Sequence, residues 1–365
     1  MKKIAIIWPV YPWRGGIAHH TSVFAHYLGL DGLTSEVFSF SYQYPSFLYP
    51  GKFQKESWEN PFPDLKVNYI LNTINPITWW HTYRRIVQGK FSVCVFKYWH
   101  FYFVPCFLFI AFFLKRKNIK IICIIDNLYA HEGHFLNKVF AKAFFSFVGL
   151  SITQSVTVDN QFSDLFPLKN HIMLPHPIYN NFGSPSSQLE SRKHLSLPLD
   201  KKILLFFGFI RYYKGLDIFL TSMPKIIESI PNIHLVIAGE CFWSFKQYEK
   251  IILENNLKEF ITCHIKYVDS ADMPFYFSAA DAFIMPYRSA TNSGVMEIAK
   301  FYELPVLASN MDSFQMYKWY NGLSLVDMED WFEISSQIKK IFSQKFKKEK
   351  STEWPDFVDQ FSRYV

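Results

Sequence analysis

The feature that most constrains this chain is an alternation. Short apolar runs at 4–8, 36–40, 67–71, 92–96, 119–125, 151–153 and 172–174 are separated by longer stretches whose apolar residues follow helical spacing. This pattern predicts parallel strands joined by helical crossovers. A polar stretch rich in Ser, Asn and Pro, 179–200, interrupts it and reads as a linker. The alternation resumes with strands expected at 203–207, 234–238, 261–264, 282–285, 306–308 and 323–326. The expected architecture is α/β, with two Rossmann-like domains over 1–177 and 178–350. A tail at 351–365 is too aromatic to be left unpacked. A chain of 365 residues is comfortable for two domains of ordinary size.

In open α/β sheets ligands bind at the C-terminal ends of the strands. The segment FFGFIRYYKGLD, 206–217, lies at such an end. Gly208 breaks the apolar run, Arg211 and Lys214 follow in the loop, and helical spacing begins at Asp217. A planar fork and a point charge together suit a diphosphate. A second segment, DAFIMPYRSATNSGVMEIAKFYELP over 281–305, has the same strand–loop–helix logic. Its loop carries Ser289, Thr291 and Asn292. Ser293 is a candidate N-cap, with Gly294 and Val295 just inside the helix and Glu297 one turn in. Free N–H groups at such a helix start attract anions.

These two segments resemble the C-terminal half of retaining family-4 glycosyltransferases of the GT-B fold, of the bacterial surface-polysaccharide type. The resemblance rests on Gly208, Arg211, Lys214 and Gly215, on Asp281 and Pro286, and on Glu297 with Pro305 to Ala308. It implies two domains facing across a cleft, with a final helix returning to the first. It also implies transfer of a sugar from a nucleotide-sugar donor, UDP- or GDP-linked, to a saccharide or lipid-linked acceptor, with retention. Arg211 and Lys214 would stabilise the leaving diphosphate, Glu297 would bind the ribose, and Tyr267 and Val268 would flank the base. Glu240 ends a strand on the same side of the sheet. The family carries a glutamate eight positions before Glu297, where this chain has Ser289, so the transferred sugar is not specified. Neither a GT-B epimerase acting on nucleotide sugars nor a non-catalytic partner subunit is favoured. The first would need paired carboxylates near the sugar, and the second would tolerate loss of the cations that are present.

In the first half, Gly15 and Gly16 join the first strand to a helix and match the family's glycine loop. Paired glycines let the backbone approach a ligand closely, but the segment does not fit the dinucleotide fingerprint. Asp126 to Glu132 follows the strand at 119–125 and holds His131, which the resemblance makes an active-site candidate. His19, His20, Trp99 and His100 are weaker candidates.

Five scattered cysteines without CxxC spacing suggest neither a zinc site nor a disulfide framework, as in a reduced cytoplasmic protein. The chain has no Asp-x-Asp pair, so no metal and no cofactor are expected. A formal charge of +7 suits anionic substrates or an anionic membrane surface. No nucleic-acid motif is found. The apolar run 98–114 is shorter than the ~20 residues of a span and contains His100 and Pro105, so it predicts one buried or interfacial helix and peripheral attachment to the inner face of the membrane. Six lysines in 339–350 read as a solvated helix face.

Overall fold

The computed structural model describes residues 2–45, 48, 53–56, 60, 62–128, 135–178, 182–290, 294–344 and 353–365. The chain divides into two compact units, Met1–Pro177 with Thr352–Val365, and Ile178–Ser351. Each is an open parallel sheet with helices packed on it, as the alternation of apolar runs requires.

The first unit contains β1 Lys3–Ile7, α1 Gly16–Leu30, β2 Thr34–Tyr42, β3 Val67–Asn72, α2 Pro76–Gln88, β4 Val93–Tyr98, α3 Val104–Lys115, β5 Lys120–Ile125, α4 Phe135–Phe145, β6 Leu150–Thr153, α5 Val156–Leu165 and β7 His171–Met173. Its strands lie in the order β3-β2-β1-β4-β5-β6-β7. The order reverses between β1 and β4, which opens a crevice at their C-terminal ends. Chains of apolar side chains from β1, β4 and β5 fill both faces of the sheet, the mark of a buried parallel sheet.

The second unit contains α6 Gln188–His194, β8 Lys202–Phe207, α7 Leu216–Ser229, β9 Ile233–Ala238, α8 Lys246–Glu254, β10 Ile261–His264, α9 Met273–Ala279, β11 Ala282–Met285, α10 Gly294–Phe301, β12 Val306–Ser309, α11 Asp312–Gln315, β13 Leu323–Val326 and α12 Trp331–Ser343. The order β10-β9-β8-β11-β12-β13 reverses between β8 and β11. A last helix, α13 Trp354–Ser362, belongs to the first unit. It buries Trp354, Phe357, Val358 and Phe361 against Phe24 and Trp8 of the sheet's neighbouring core. Trp354, Phe357 and Phe361 of the tail are thus consumed in packing, while Tyr364 stays exposed.

One expectation is corrected. The run 98–114 is not a single helix. Tyr98 ends β4, a 3₁₀ turn spans Phe101–Phe103, and α3 begins at Val104. His100 and Pro105 start helices rather than interrupt one. The His100 ring accepts a hydrogen bond from the Tyr102 N–H, and Pro105 sits in the first turn, where its missing N–H costs nothing. Trp99 is core: it is buried, and its Nε1 donates to Tyr44 Oη at 3.0 Å. Among the described residues no helix is long and apolar enough to cross a membrane. The lysine-rich segment enters α12 only at its start, and 345–350 lie outside the described residues.

Candidate functional site

In the second unit, the loops that follow β8, β9 and β11 meet backbone to backbone, and glycines make the approach possible. Gly208 ends β8 with φ +97° and donates its N–H to Ala238 O at 2.9 Å. A Cβ on Gly239 would lie 2.0 Å from Gly208 O, and one on Gly215 would lie 1.8 Å from Pro286 O. Gly215 also has φ +64°, a conformation that other residues adopt only under strain. Gly215→Ala should therefore destabilise this unit by more than ~2 kcal/mol, from left-handed strain together with a backbone clash. A urea midpoint equal to wild type would show that the loops can separate freely.

Lys214 closes a 3₁₀ turn, Tyr212–Lys214, and is buried, with 6% of its surface exposed. Its Nζ lies 3.3 Å from Phe207 O and 5.3 Å from the centre of the Tyr287 ring. Burial and then the neighbouring Arg211 charge bring its pKa down to about 7. Arg211 is exposed, its guanidinium resting between the Tyr213 and Phe242 rings at 5.5 and 5.4 Å. A side chain added at Gly208 would meet Lys214 Nζ at 2.9 Å and Val295 Cγ2 at 3.9 Å. The first turn of α10 therefore stands beside the same glycine as the buried lysine. Phe209, Phe242 and Tyr267 form an aromatic group near the end of β8, with ring centres 4.4 and 6.1 Å from Phe209. Val268 and Glu240 are buried close to the ends of β10 and β9, and Ser289 is half-buried after β11.

Sequence reasoning missed Asp217 and Arg288. Arg288 forks onto Asp217 with two bonds of 2.8 and 2.6 Å, donates to Tyr212 O at 2.8 Å and covers the Tyr212 ring at 4.1 Å. Its N–H also donates to Tyr213 O at 2.7 Å. This bidentate pair ties the cationic loop to the loop after β11. Two residues 71 apart in sequence leave no local signal of such a pairing.

Glu297 has a different setting from a solvent-facing ribose ligand. It is 2% exposed, its Oε2 lies 2.6 Å from Lys300 Nζ, and Tyr317 donates to it. Burial raises its pKa, with Lys300 and Tyr317 opposing. A sugar hydroxyl would have to share this carboxylate with Lys300. Thr291, Asn292 and Ser293 lie outside the described residues, as does His131 in the first unit.

In the first unit, Gly15 has φ +100° and precedes α1, which begins at Gly16. The crevice end of this sheet holds a buried polar chain. Lys97 Nζ lies 2.8 Å from Asp126 Oδ1, 3.5 Å from Gln154 Oε1 and 4.8 Å from the Trp8 ring centre. Because a lysine can only donate, the Gln154 oxygen faces it and the amide N–H donates to His20 Nε2, at 3.1 Å. His20 is then the neutral tautomer protonated on Nδ1. Burial, with Lys97 adding to it, holds the His20 pKa well below its usual value. His19 instead pairs with Glu56 at 3.2 Å. Among the described residues no three His, Cys, Asp or Glu side chains converge as a metal site requires.

Two Rossmann-like units, with a cationic loop and a helix start at the switch point of the second, define the GT-B class. Residues 187–354, somewhat less than half of the chain, match the family described as glycosyl transferases group 1. The chain is 27% identical over 134 residues to the lipopolysaccharide core biosynthesis mannosyltransferase LpsB of Rhizobium meliloti (strain 1021), covering 36% of this chain and 38% of that protein. It is 26% identical over 183 residues to spore coat protein SA of Bacillus subtilis (strain 168), 48% of each. The matches thus span less than half of either curated relative. The solved structure of Anabaena HepE in complex with UDP and glucose shares the fold over 100% of this chain and 99% of that one, with TM-score 0.74 and 13% identity.

Proposed function

We propose that this protein transfers a glycosyl group from a UDP- or GDP-linked sugar to a saccharide or lipid-linked acceptor, with retention of configuration, in surface polysaccharide assembly at the inner face of the membrane. The observation that carries this reading is the convergence of Lys214 and the first turn of α10 on Gly208, at the C-terminal end of β8, with the Arg211 charge near enough to lower the lysine's pKa. The family match of this half, the names of the relatives and the UDP bound to HepE support it.

As the bond from the sugar C1 to the β-phosphate oxygen breaks, the electron pair and a growing negative charge go to the phosphate. Fixed cations and helix N–H groups counter that charge. The acceptor oxygen bonds to C1 on the same face and gives its proton to the departing phosphate. No metal is needed in this scheme, in keeping with the missing Asp-x-Asp. Arg211 and Lys214 serve the diphosphate. Gly208, Gly239 and Gly215 keep the backbone close to it, and the Phe209, Phe242 and Tyr267 rings suit the base. Ser289, Thr291, Asn292, Ser293 and Glu297 are assigned to the sugar and ribose, Gly15 and Gly16 to the donor, and His131 to positioning the sugar or acceptor.

The test is to incubate the purified protein, with EDTA, against a panel of UDP- and GDP-sugars, with and without polyprenyl-linked saccharides. One donor should release its nucleotide only with acceptor present, and the product should keep the donor's anomeric configuration. An inverted product would overturn retention. A donor epimerised without acceptor would replace transfer with epimerisation. Activity abolished by chelator and restored by Mg²⁺ would overturn the metal-free scheme.

A further inference from the structure

From Leu65 to Ile125 the chain carries nine Lys and Arg residues and no Asp or Glu, although the whole sequence has 31 acidic residues. Lys97 is buried in the sheet, but Arg84 and Arg85 on α2 and Lys115, Arg116 and Lys117 at the end of α3 are exposed. α2 and α3 pack side by side, with Trp79 against Phe109 at 5.8 Å, Trp80 against Phe113 at 5.3 Å and Tyr83 against Phe113 at 5.4 Å. The contacts advance in the same direction along both helices, so their C-terminal turns are neighbours. Arg84 therefore stands beside the exposed cluster Lys115, Arg116 and Lys117.

The apolar side of the same surface is not consumed by packing. Ile74, Ile77 and Trp80 are 60%, 65% and 40% exposed. Ile77, Trp80 and Arg84 follow one another at helical spacing and share a face. Phe112 is half-exposed and carries the Arg116 guanidinium over its ring at 3.6 Å. The run 98–114, where the sequence placed membrane contact, turns mostly inward: Phe103, Phe107, Ile110 and Leu114 are core.

We propose that the outer face of α2, with the last turn of α3, docks on an anionic lipid bilayer. Protruding Ile and Trp side chains beside a cationic rim match the two layers of such a surface. Apolar side chains enter the acyl boundary, tryptophan sits at headgroup level, and Lys and Arg meet lipid phosphates. An acidic protein or a nucleic acid would satisfy the cations and leave Ile74 and Ile77 in water. The inference draws on the transferase reading only for why a membrane would be near, and the surface is tested separately from it.

The experiment is vesicle flotation of the full chain with phosphatidylcholine vesicles, with and without phosphatidylglycerol, at low and high salt. The protein should float only with the anionic vesicles, and less at high salt. Arg84→Glu, Lys115→Glu and Lys117→Glu should each lower the partition coefficient about fivefold or more. Ile77→Ser with Trp80→Ser should lower it more than about tenfold with every charge in place. Thermal melting by circular dichroism should match wild type in all variants. Equal flotation on neutral vesicles, unchanged binding of the charge variants, or full binding by the Ser variant would each overturn this surface. Turnover on a water-soluble acceptor should be unaffected by these substitutions. Vesicle binding without any transfer would remove the transferase reading and leave the docking surface standing.

Discussion

Lys214→Met should lower turnover by two to three orders of magnitude, the scale for removing one donor aimed at a developing oxyanion, while making the nucleotide-free protein more stable. Both effects come from the same burial. Lys214 sits in a low-dielectric position beside a second cation, and its pKa in the empty site is about 7, far below the ordinary value near 10.4. Between pH 7 and 10 the unfolded chain therefore binds a proton that the folded chain does not, so stability rises with pH through that window and is diminished below it. Methionine removes the penalty. A bound diphosphate reverses it, because opposite charge nearby favours the ammonium. The pH profiles should reflect this: kcat/KM, which reports the free enzyme, should fall above pH ~7, while kcat should hold to higher pH. Parallel decline of both, or near-normal turnover in the variant, would remove the clamp role.

Asp126→Ala should cost the first unit about 3–5 kcal/mol, the range for leaving one member of a buried ion pair uncompensated. The Lys97 side chain has no exposed surface and Asp126 is its charged partner at 2.8 Å. Burial lowers the Lys97 pKa and raises that of Asp126, and their mutual attraction opposes both shifts. With the carboxylate gone, the ammonium keeps, among the described residues, Gln154 at 3.5 Å and the face of Trp8. Replacing both members, Lys97→Met with Asp126→Leu, should recover most of the loss, since apolar packing of similar volume does at least as well as a buried pair. Urea unfolding checks both. A single-variant loss under ~1 kcal/mol, the worth of a surface pair, would mean that water reaches Lys97.

The sheets were legible because their strands are buried on both faces and so read as continuous apolar runs; β5 and β9 are examples. The position of Arg211 and Lys214 after a strand was legible for the same reason. Lys97 was not, because a single cation just past the run at 92–96 has its partner, Asp126, in the residue after the neighbouring strand. The burial of Lys214 was not legible either, since it depends on Tyr287 arriving from a distant loop. The misreading of 98–114 has a physical source: a buried strand and a buried helix are both uniformly apolar, and composition does not show the bend between them. The pairing of Glu297 with Lys300 had the right spacing for a helix contact, three residues apart.

Calorimetric titration of the purified protein with UDP and GDP tests most directly whether the loops after β8, β9 and β11 form a diphosphate site. One nucleotide should bind stoichiometrically, with proton uptake near pH 7.5 as Lys214 recharges, and Lys214→Met should remove both the uptake and most of the affinity. Absence of binding by either nucleotide, or equal affinity without proton uptake in wild type and variant, would contradict it.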